Sequence, residues 1–549
     1  MGQYTFYIMV GVYTLIIAFC GYLGYRHTRD AKDYLIAGSS VHPALMALSY
    51  GSTFISTSAI VGFGGAAGMY GMSLLWLTAC NIIFGVFVAF VFFGKRTKIL
   101  GTNLAAHTFP ELMAKRFNSK FIQNYSAVLI AVAMPLYAAA VMIGGARFLE
   151  QAININYALA LVIFAVLVGI YVFYGGLKGI MYTDAVQAMI MFVGMVILIF
   201  STYTALGGVT EAHQKLTDMA YLVPESLVAQ GHTGWTTMPV FGSQIWLYVM
   251  TTLVLGVGIG VLAQPHLAVR FMTLKGTTDV NRAVIVGGIF ILFMTGVAFV
   301  VGALSNAYFY DAYGQISLAM VTDPATGAPN IDKIIPMFIG EALPDWFAYL
   351  FMLCLLSAAM STLSGQFHVI GTSVRDLIQR KDGTDRANTT GLARIGVLVG
   401  LIATLVLSFK LPGSIIAIAT AMFFGLCASA FLPMYIAALY WPRASKTGVV
   451  AGMVAGSVIF ILSVLFVHQK EAVIFGISQL LFGKPYLFGF PWNIIDPMVI
   501  SLPVGFIVTV VVSLVTAPFG EKHLEKCFQG IKKDLEQVPQ GQVALSAKK

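Results

Sequence analysis

Charge is what this sequence has least of. Asp, Glu, Lys and Arg make up only 10% of its 549 residues, against about 25% in soluble proteins. With 58% hydrophobic residues and a mean hydropathy of +0.85, that scarcity excludes a soluble globular protein. Cysteine is equally sparse. Cys20, Cys80, Cys354, Cys427 and Cys527 stand far apart, without metal-ligand spacing and without a disulfide framework. His, Asp and Glu fall mostly in loops with no nucleophile–base or metal spacing, so an enzyme is not expected. No basic stretch precedes the first apolar run, Tyr4 to Tyr25, which is therefore expected to be a retained helix rather than a cleaved leader. The tail from Gly520 to Lys549 is charged and too short for a catalytic domain.

What the chain has in abundance is apolar segments of spanning length, from 4–25, 43–69 and 73–94 to 412–440, 447–467 and 496–517. They predict an all-α polytopic membrane protein with about thirteen transmembrane helices. An odd number puts the termini on opposite sides. With the N-terminus outside, only Arg147, Lys215, Lys333, Lys410, Lys470 and Lys484 of the 32 Lys and Arg fall outside. The positive-inside rule thus predicts N-terminus out and C-terminus in the cytoplasm of a cell inner or plasma membrane. The excess of positive charge reports orientation in a lipid bilayer and asks for no nucleic acid. Loops near 205–241, 307–345 and 468–495 are candidates to cap an entry path, and 110–121 is expected to form an amphipathic helix on the cytoplasmic face.

One stretch concentrates hydroxyls inside a spanning run, Leu355-Leu356-Ser357-Ala358-Ala359-Met360-Ser361-Thr362-Leu363-Ser364-Gly365-Gln366. On a helix Ala358, Ser361 and Thr362 share one face, and Ser357, Ser361, Ser364 and His368 form an adjoining stripe. Hydroxyls offer oxygen without charge, which suits a small hard cation that must bind and leave. They also glue membrane helices together.

A second span is oddly built. Ser49-Tyr50-Gly51-Ser52-Thr53-Phe54-Ile55-Ser56-Thr57-Ser58 is a poor mid-membrane helix, because hydroxyls compete for backbone groups and glycine eases unwinding. A similar weak point is Leu255-Gly256-Val257-Gly258-Ile259-Gly260, followed by Gln264-Pro265-His266. Paired interrupted helices point to a transporter's binding site, and glycine packing is the competing explanation for each. Asp184, about a turn into the sixth span, is either a functional carboxylate or a helix-end residue paired with Lys178.

These residues carry a resemblance. Ala47-Leu48-Ser49, Gly175-Gly176-Leu177 with Thr183-Asp184 and Gln187, Gln264-Pro265-His266 with Arg270-Phe271-Met272, Met360-Ser361-Thr362-Leu363-Ser364, and Leu439-Tyr440-Trp441-Pro442 stand in order as in the sodium:solute symporter family. The chain resembles that family up to about residue 520, and in motif its sodium/proline branch. The resemblance implies sodium-driven uptake by alternating access and a LeuT-type fold of inverted five-helix repeats. The implied division is 1–41 (an extra N-terminal helix and first loop), 42–241 and 242–440 (the repeats), 441–517 (two further helices) and 518–549 (a cytoplasmic tail).

The resemblance also implies a sodium site of the Ser52, Ile55 and Ala358 carbonyls with the Ser361 and Thr362 hydroxyls. Asp184 and Ser364 belong to an ion route or a second site, for which Gly365 lacks the hydroxyl expected there. The substrate pocket falls to Ser56, Tyr137, Val257 and Val261. Phe54 stands where the proline carriers have an aspartate, and Val257 and Val261 stand where they have aromatics. The expected function is import of a small organic solute, an amino acid such as proline first and a monocarboxylate second, by a monomer that takes Na+ and no other metal. The alternative is a sensory membrane module signalling through a partner protein.

Overall fold

The computed structural model describes residues 2–531 apart from 29, 154, 325–326 and 379–388. The end of the expected tail, 532–549, and the loop charges Arg29, Arg380, Lys381 and Arg386 lie outside the described residues. Among the described residues the regular structure is helical, joined by turns and irregular segments, with isolated bridges at Val41–Leu274 and Thr322–Pro329.

Eleven helices among the described residues are long and apolar enough to cross a bilayer. Two differences separate this from the expected thirteen. The expected 43–69 span is broken after Pro43–Phe54, and its second half runs on into a 46-residue stretch, Ser58–Asn103. The expected 155–174 span supplies only a shorter apolar helix, Tyr157–Ile170. It is joined to the next span within Tyr157–Ala205 through Gly176, whose φ of 55° only glycine adopts easily. A Cβ there would also lie 2.6 Å from the Tyr34 ring.

Ile416–Tyr440 and Trp346–Ile378 are the most enclosed spans. The first broken helix and Tyr157–Ala205 pack on the Asp345–Ile378 helix, as does Lys120–Ile153. Large apolar side chains such as Leu15, Val132, Phe200 and Ile285 remain exposed on the outside, where lipid tails would meet them. The loop beyond Ala205 folds back over the bundle, burying Trp235, whose indole donates to Gly68 O at 3.1 Å. The helix Phe109–Arg116, expected on the surface, is mostly buried; its Arg116 guanidinium lies over the rings of Phe117 and Phe528.

Candidate functional site

The first broken helix starts at Pro43, with His42 Nδ1 capping Ala44 N–H. It stops where Ile55 turns to φ −88°, ψ 94°, and the Ile55 N–H closes the last helical bond, onto Gly51 O. The chain becomes helical again at Ser58 in a wide π turn. The break releases the carbonyls of Ser52 and Thr53 from helical partners, as the hydroxyl-rich sequence predicted. Those carbonyls are taken up by the Asp345–Ile378 helix. Ser361 Oγ donates to Ser52 O at 2.9 Å and lies 3.2 Å from Ala358 O. Thr362 Oγ1 donates to Thr53 O at 2.9 Å, and Thr53 Oγ1 returns a bond to Ser361 O at 3.1 Å. Ser52, Ile55, Ala358, Ser361 and Thr362 are all fully buried. Two helices more than 300 residues apart in sequence thus bring neutral oxygens together around hydroxyl hydrogens.

The rest of the hydroxyl stripe divides between the two roles foreseen for it. Ser357 donates to Tyr13 on the first helix at 3.3 Å, and His368 Nε2 lies 3.4 Å from Leu35 O, which is helix packing. Ser364 turns back onto Ser361 O at 2.9 Å, beside the oxygen cluster.

Asp184 is not paired with Lys178, which instead lies 3.4 Å from Asp33. Its partner is Arg270, whose guanidinium stands 2.9 Å from Asp184 Oδ2 with both side chains at 0% exposure. Arg270 also donates to Ser49 Oγ at 3.1 Å, to His266 O at 2.6 Å and to Thr53 Oγ1. Ser49 donates to the same carboxylate oxygen at 2.7 Å and Thr53 Oγ1 lies 3.3 Å from it, while Asp184 Oδ1 has no hydrogen-bond partner among the described residues. Thr53 therefore links the ion pair to the Ser361 carbonyl. Gly365 makes room for it: a Cβ there would lie 3.3 Å from both terminal guanidinium nitrogens.

Arg270 is the residue that sequence reasoning missed. Counting loop charges placed it among the cytoplasmic cations. The signal was its position in an apolar helix, Pro265–Phe271, directly after a break. That second break lies at Gln264 (ψ 116°), not at the glycine run. Pro265 forces the preceding residue out of helical geometry, whereas the glycines serve packing. A Cβ on Gly260 would meet Phe424 O at 2.6 Å, and one on Gly258 the Cys80 Cβ at 2.6 Å.

Ser56, Tyr137, Val257 and Val261 are all buried. The Tyr137 hydroxyl lies beside Ser56, and its ring stacks on Phe423 (5.7 Å between centroids) with Phe424 edge-on at 5.3 Å. His266 lies against the same ring at 6.2 Å, its Nδ1 without a hydrogen-bond partner. A Cβ on Gly85 would touch both Phe54 and Val261 at 3.4 Å, so these two side chains meet at one point. Polar and apolar groups from both breaks and two further helices thus converge next to the oxygen cluster.

The comparisons with known proteins agree with this architecture. The model of the sodium:solute symporter family matches residues 34–456. The chain belongs to the sodium:solute symporter family. A sodium/pantothenate symporter of Haemophilus influenzae is 29% identical over 82% of this chain and 90% of its own length. Sodium/proline symporter 2 of Staphylococcus saprophyticus is 26% identical over 87% and 90%. Among solved structures, a Na+-coupled sialic acid symporter in a substrate-bound outward-open state superposes with a TM-score of 0.72 at 16% identity. The match covers 94% of this chain and 99% of that one. The fold is therefore the LeuT-type all-helical membrane fold, and the symporter's coupling ion is sodium.

Proposed function

We propose that this symporter imports a small organic carboxylate, an amino acid such as proline first, by coupling it to one sodium ion bound at Ser52, Ile55, Ala358, Ser361 and Thr362. The observation that carries the ion site is Ser361 Oγ, which touches Ser52 O on one helix and Ala358 O on its own. Rotating that hydroxyl hydrogen away turns three neighbouring oxygens toward one cation. A site built from hydroxyls and carbonyls alone carries no net charge, so sodium is held loosely and released into a low-sodium cytoplasm. Because the ligands come from both helices, sodium favours their approach, and the approach closes the site over the solute.

Proline, pantothenate and sialic acid, the solutes of the relatives, share a carboxylate. The Tyr137 hydroxyl, Ser56 and the unpartnered His266 Nδ1 are the groups that would receive it. Phe54, Val257 and Val261 would receive an aliphatic body. Phe54 in place of an acidic residue suits an anion, and a simple monocarboxylate is the second candidate.

Arg270 supports the single-sodium reading. Its guanidinium stands between Asp184 and Gly365, where a second ion would need a carboxylate and a hydroxyl. A resident cation neutralises Asp184, and Ser364 is spent on the Ser361 carbonyl. The same reading puts the N-terminus outside, the C-terminus inside, and 42–241 and 242–440 as the two repeats that move against each other, in a monomer. Uptake of labelled proline, pantothenate and short monocarboxylates into proteoliposomes, with and without a sodium gradient, tests the function. No sodium-stimulated uptake of any carboxylate would overturn it.

A further inference from the structure

A cavity of about 450 Å³ opens where the chain entering the first broken helix meets the chain leaving the second. It is lined by Lys32, Lys98, Lys275, His107, Ser39 and Met272 among others, with no carboxylate in its wall. Lys98 is 7% exposed, and among the described residues its ammonium donates to Met272 O at 3.2 Å and to no other oxygen. The carboxylates nearby have partners other than the three lysines: Asp33 has Lys178, Asp279 has Arg282 at 3.8 Å, and Glu111 has Lys115 at 2.7 Å and, behind the wall, His107 at 3.6 Å. Among the described residues no carboxylate pairs with Lys32, Lys98 or Lys275. Lys32 and Lys98 repel each other, and Asp279 offsets this only from beyond ion-pair distance.

Three amines around one hollow favour a multivalent anion, because each gains charge-assisted hydrogen bonds and sheds its repulsion. The volume exceeds what a bare oxyanion fills and leaves space for its substituent. We propose that this cavity binds a phosphate-class oxyanion, either a free phosphate or the headgroup of an anionic phospholipid. The three lysines sit on elements that already clasp one another. Val41 N–H donates to Thr273 O at 3.1 Å, and Ser39 Oγ and Lys98 Nζ both reach Met272 O. An oxyanion here ties Lys32, ahead of the first broken helix, to Lys275, behind the second, and to Lys98 on Lys95–Asn103. It therefore holds this face of the symporter closed and slows opening toward it.

The full-length protein in nanodiscs tests this, since both faces are accessible. Acetylation of Lys32, Lys98 and Lys275 would be followed by mass spectrometry under four conditions. These are phosphatidylcholine alone, with inorganic phosphate, with chloride at the same ionic strength, and with phosphatidylglycerol. Protection by inorganic phosphate assigns the site to a soluble oxyanion, and protection by phosphatidylglycerol alone assigns it to the headgroup. Lys32→Gln/Lys275→Gln, which changes two exposed side chains, should weaken protection of Lys98 about tenfold. Protection matched by chloride at equal ionic strength, no protection in either arm, or undiminished protection in the double variant would each overturn the proposal.

Discussion

Arg270 and Asp184, 86 residues apart in sequence, form an ion pair at 2.9 Å with neither side chain exposed. Such a pair is expensive to bury and is retained where its geometry is needed. Here it fixes Ser49 and Thr53 on the first broken helix, because both hydroxyls bond the same carboxylate oxygen and the same guanidinium. It thereby fixes the end of that helix whose Ser52 and Thr53 carbonyls reach Ser361 and Thr362.

Removing one partner leaves an uncompensated buried charge. Asp184→Asn or Arg270→Gln alone should destabilise the protein by about 3–5 kcal/mol, and the double variant should recover a large part of that loss. Unfolding followed in detergent measures all three. If Asp184→Asn stays within about 1 kcal/mol of wild type, Asp184 serves only its helix end and the pair is incidental.

The proposed hydroxyl ligands make a prediction of the opposite kind, on function with little effect on folding. Ser361→Ala and Thr362→Ala should each raise the sodium concentration needed for half-maximal uptake severalfold to a hundredfold, from about 1–3 kcal/mol of lost coordination. Sodium activation unchanged in both variants would remove these residues from the ion site.

These contrasts show what was legible. Ala358, Ser361 and Thr362 could be placed together because helical spacing is local. The first break could be foreseen because a Ser-, Thr- and Gly-rich run weakens a helix wherever it lies. The second weak stretch was foreseen, but its break falls at Gln264 ahead of Pro265 rather than within the glycines, since glycines that only admit Phe424 and Cys80 look the same in sequence as glycines that unwind. The partner of Asp184 was not legible. An arginine near a span end counts as a loop charge until packing shows which way the chain turns, and Pro265–Phe271 carries Arg270 inward.

Asp332, in the short helical turn Ile331–Lys333 ahead of Ile334–Ala342, gives a pH dependence with a definite sign. Burial raises its carboxyl from the ordinary 3.8 to about 7, against the pull of the Ile416 N–H and the Arg147 charge. Between these values the folded state binds more protons than the unfolded one, so stability falls as pH rises through that window. Asp332→Asn cannot ionise and should flatten the fall. Thermal unfolding at pH 5 and pH 8 compares the two proteins, and parallel losses would mean the carboxylate is better solvated than its burial implies.

The last prediction concerns coupling. Gly365 supplies no hydroxyl, and the space beside it holds the Arg270 guanidinium. With the cation of a second site built into the chain, reversal-potential measurements in liposomes should give one sodium per solute. The arrangement also says what would have to change. Gly365→Ser alone puts a Cβ 3.1 Å from the Thr53 methyl and 3.3 Å from the guanidinium, so it should impair uptake without adding an ion. Combined with Arg270→Gln, the serine restores a hydroxyl beside Asp184, Ser361 and Ser364 while removing the resident charge. In that double variant sodium activation should steepen toward two ions, since at a separation of about 4 Å and an effective dielectric near 20 the freed carboxylate attracts a cation by roughly 4 kcal/mol. A slope for two sodium ions in the wild type would show that Asp184 recruits an ion beside Arg270, and the resident-cation account would fall.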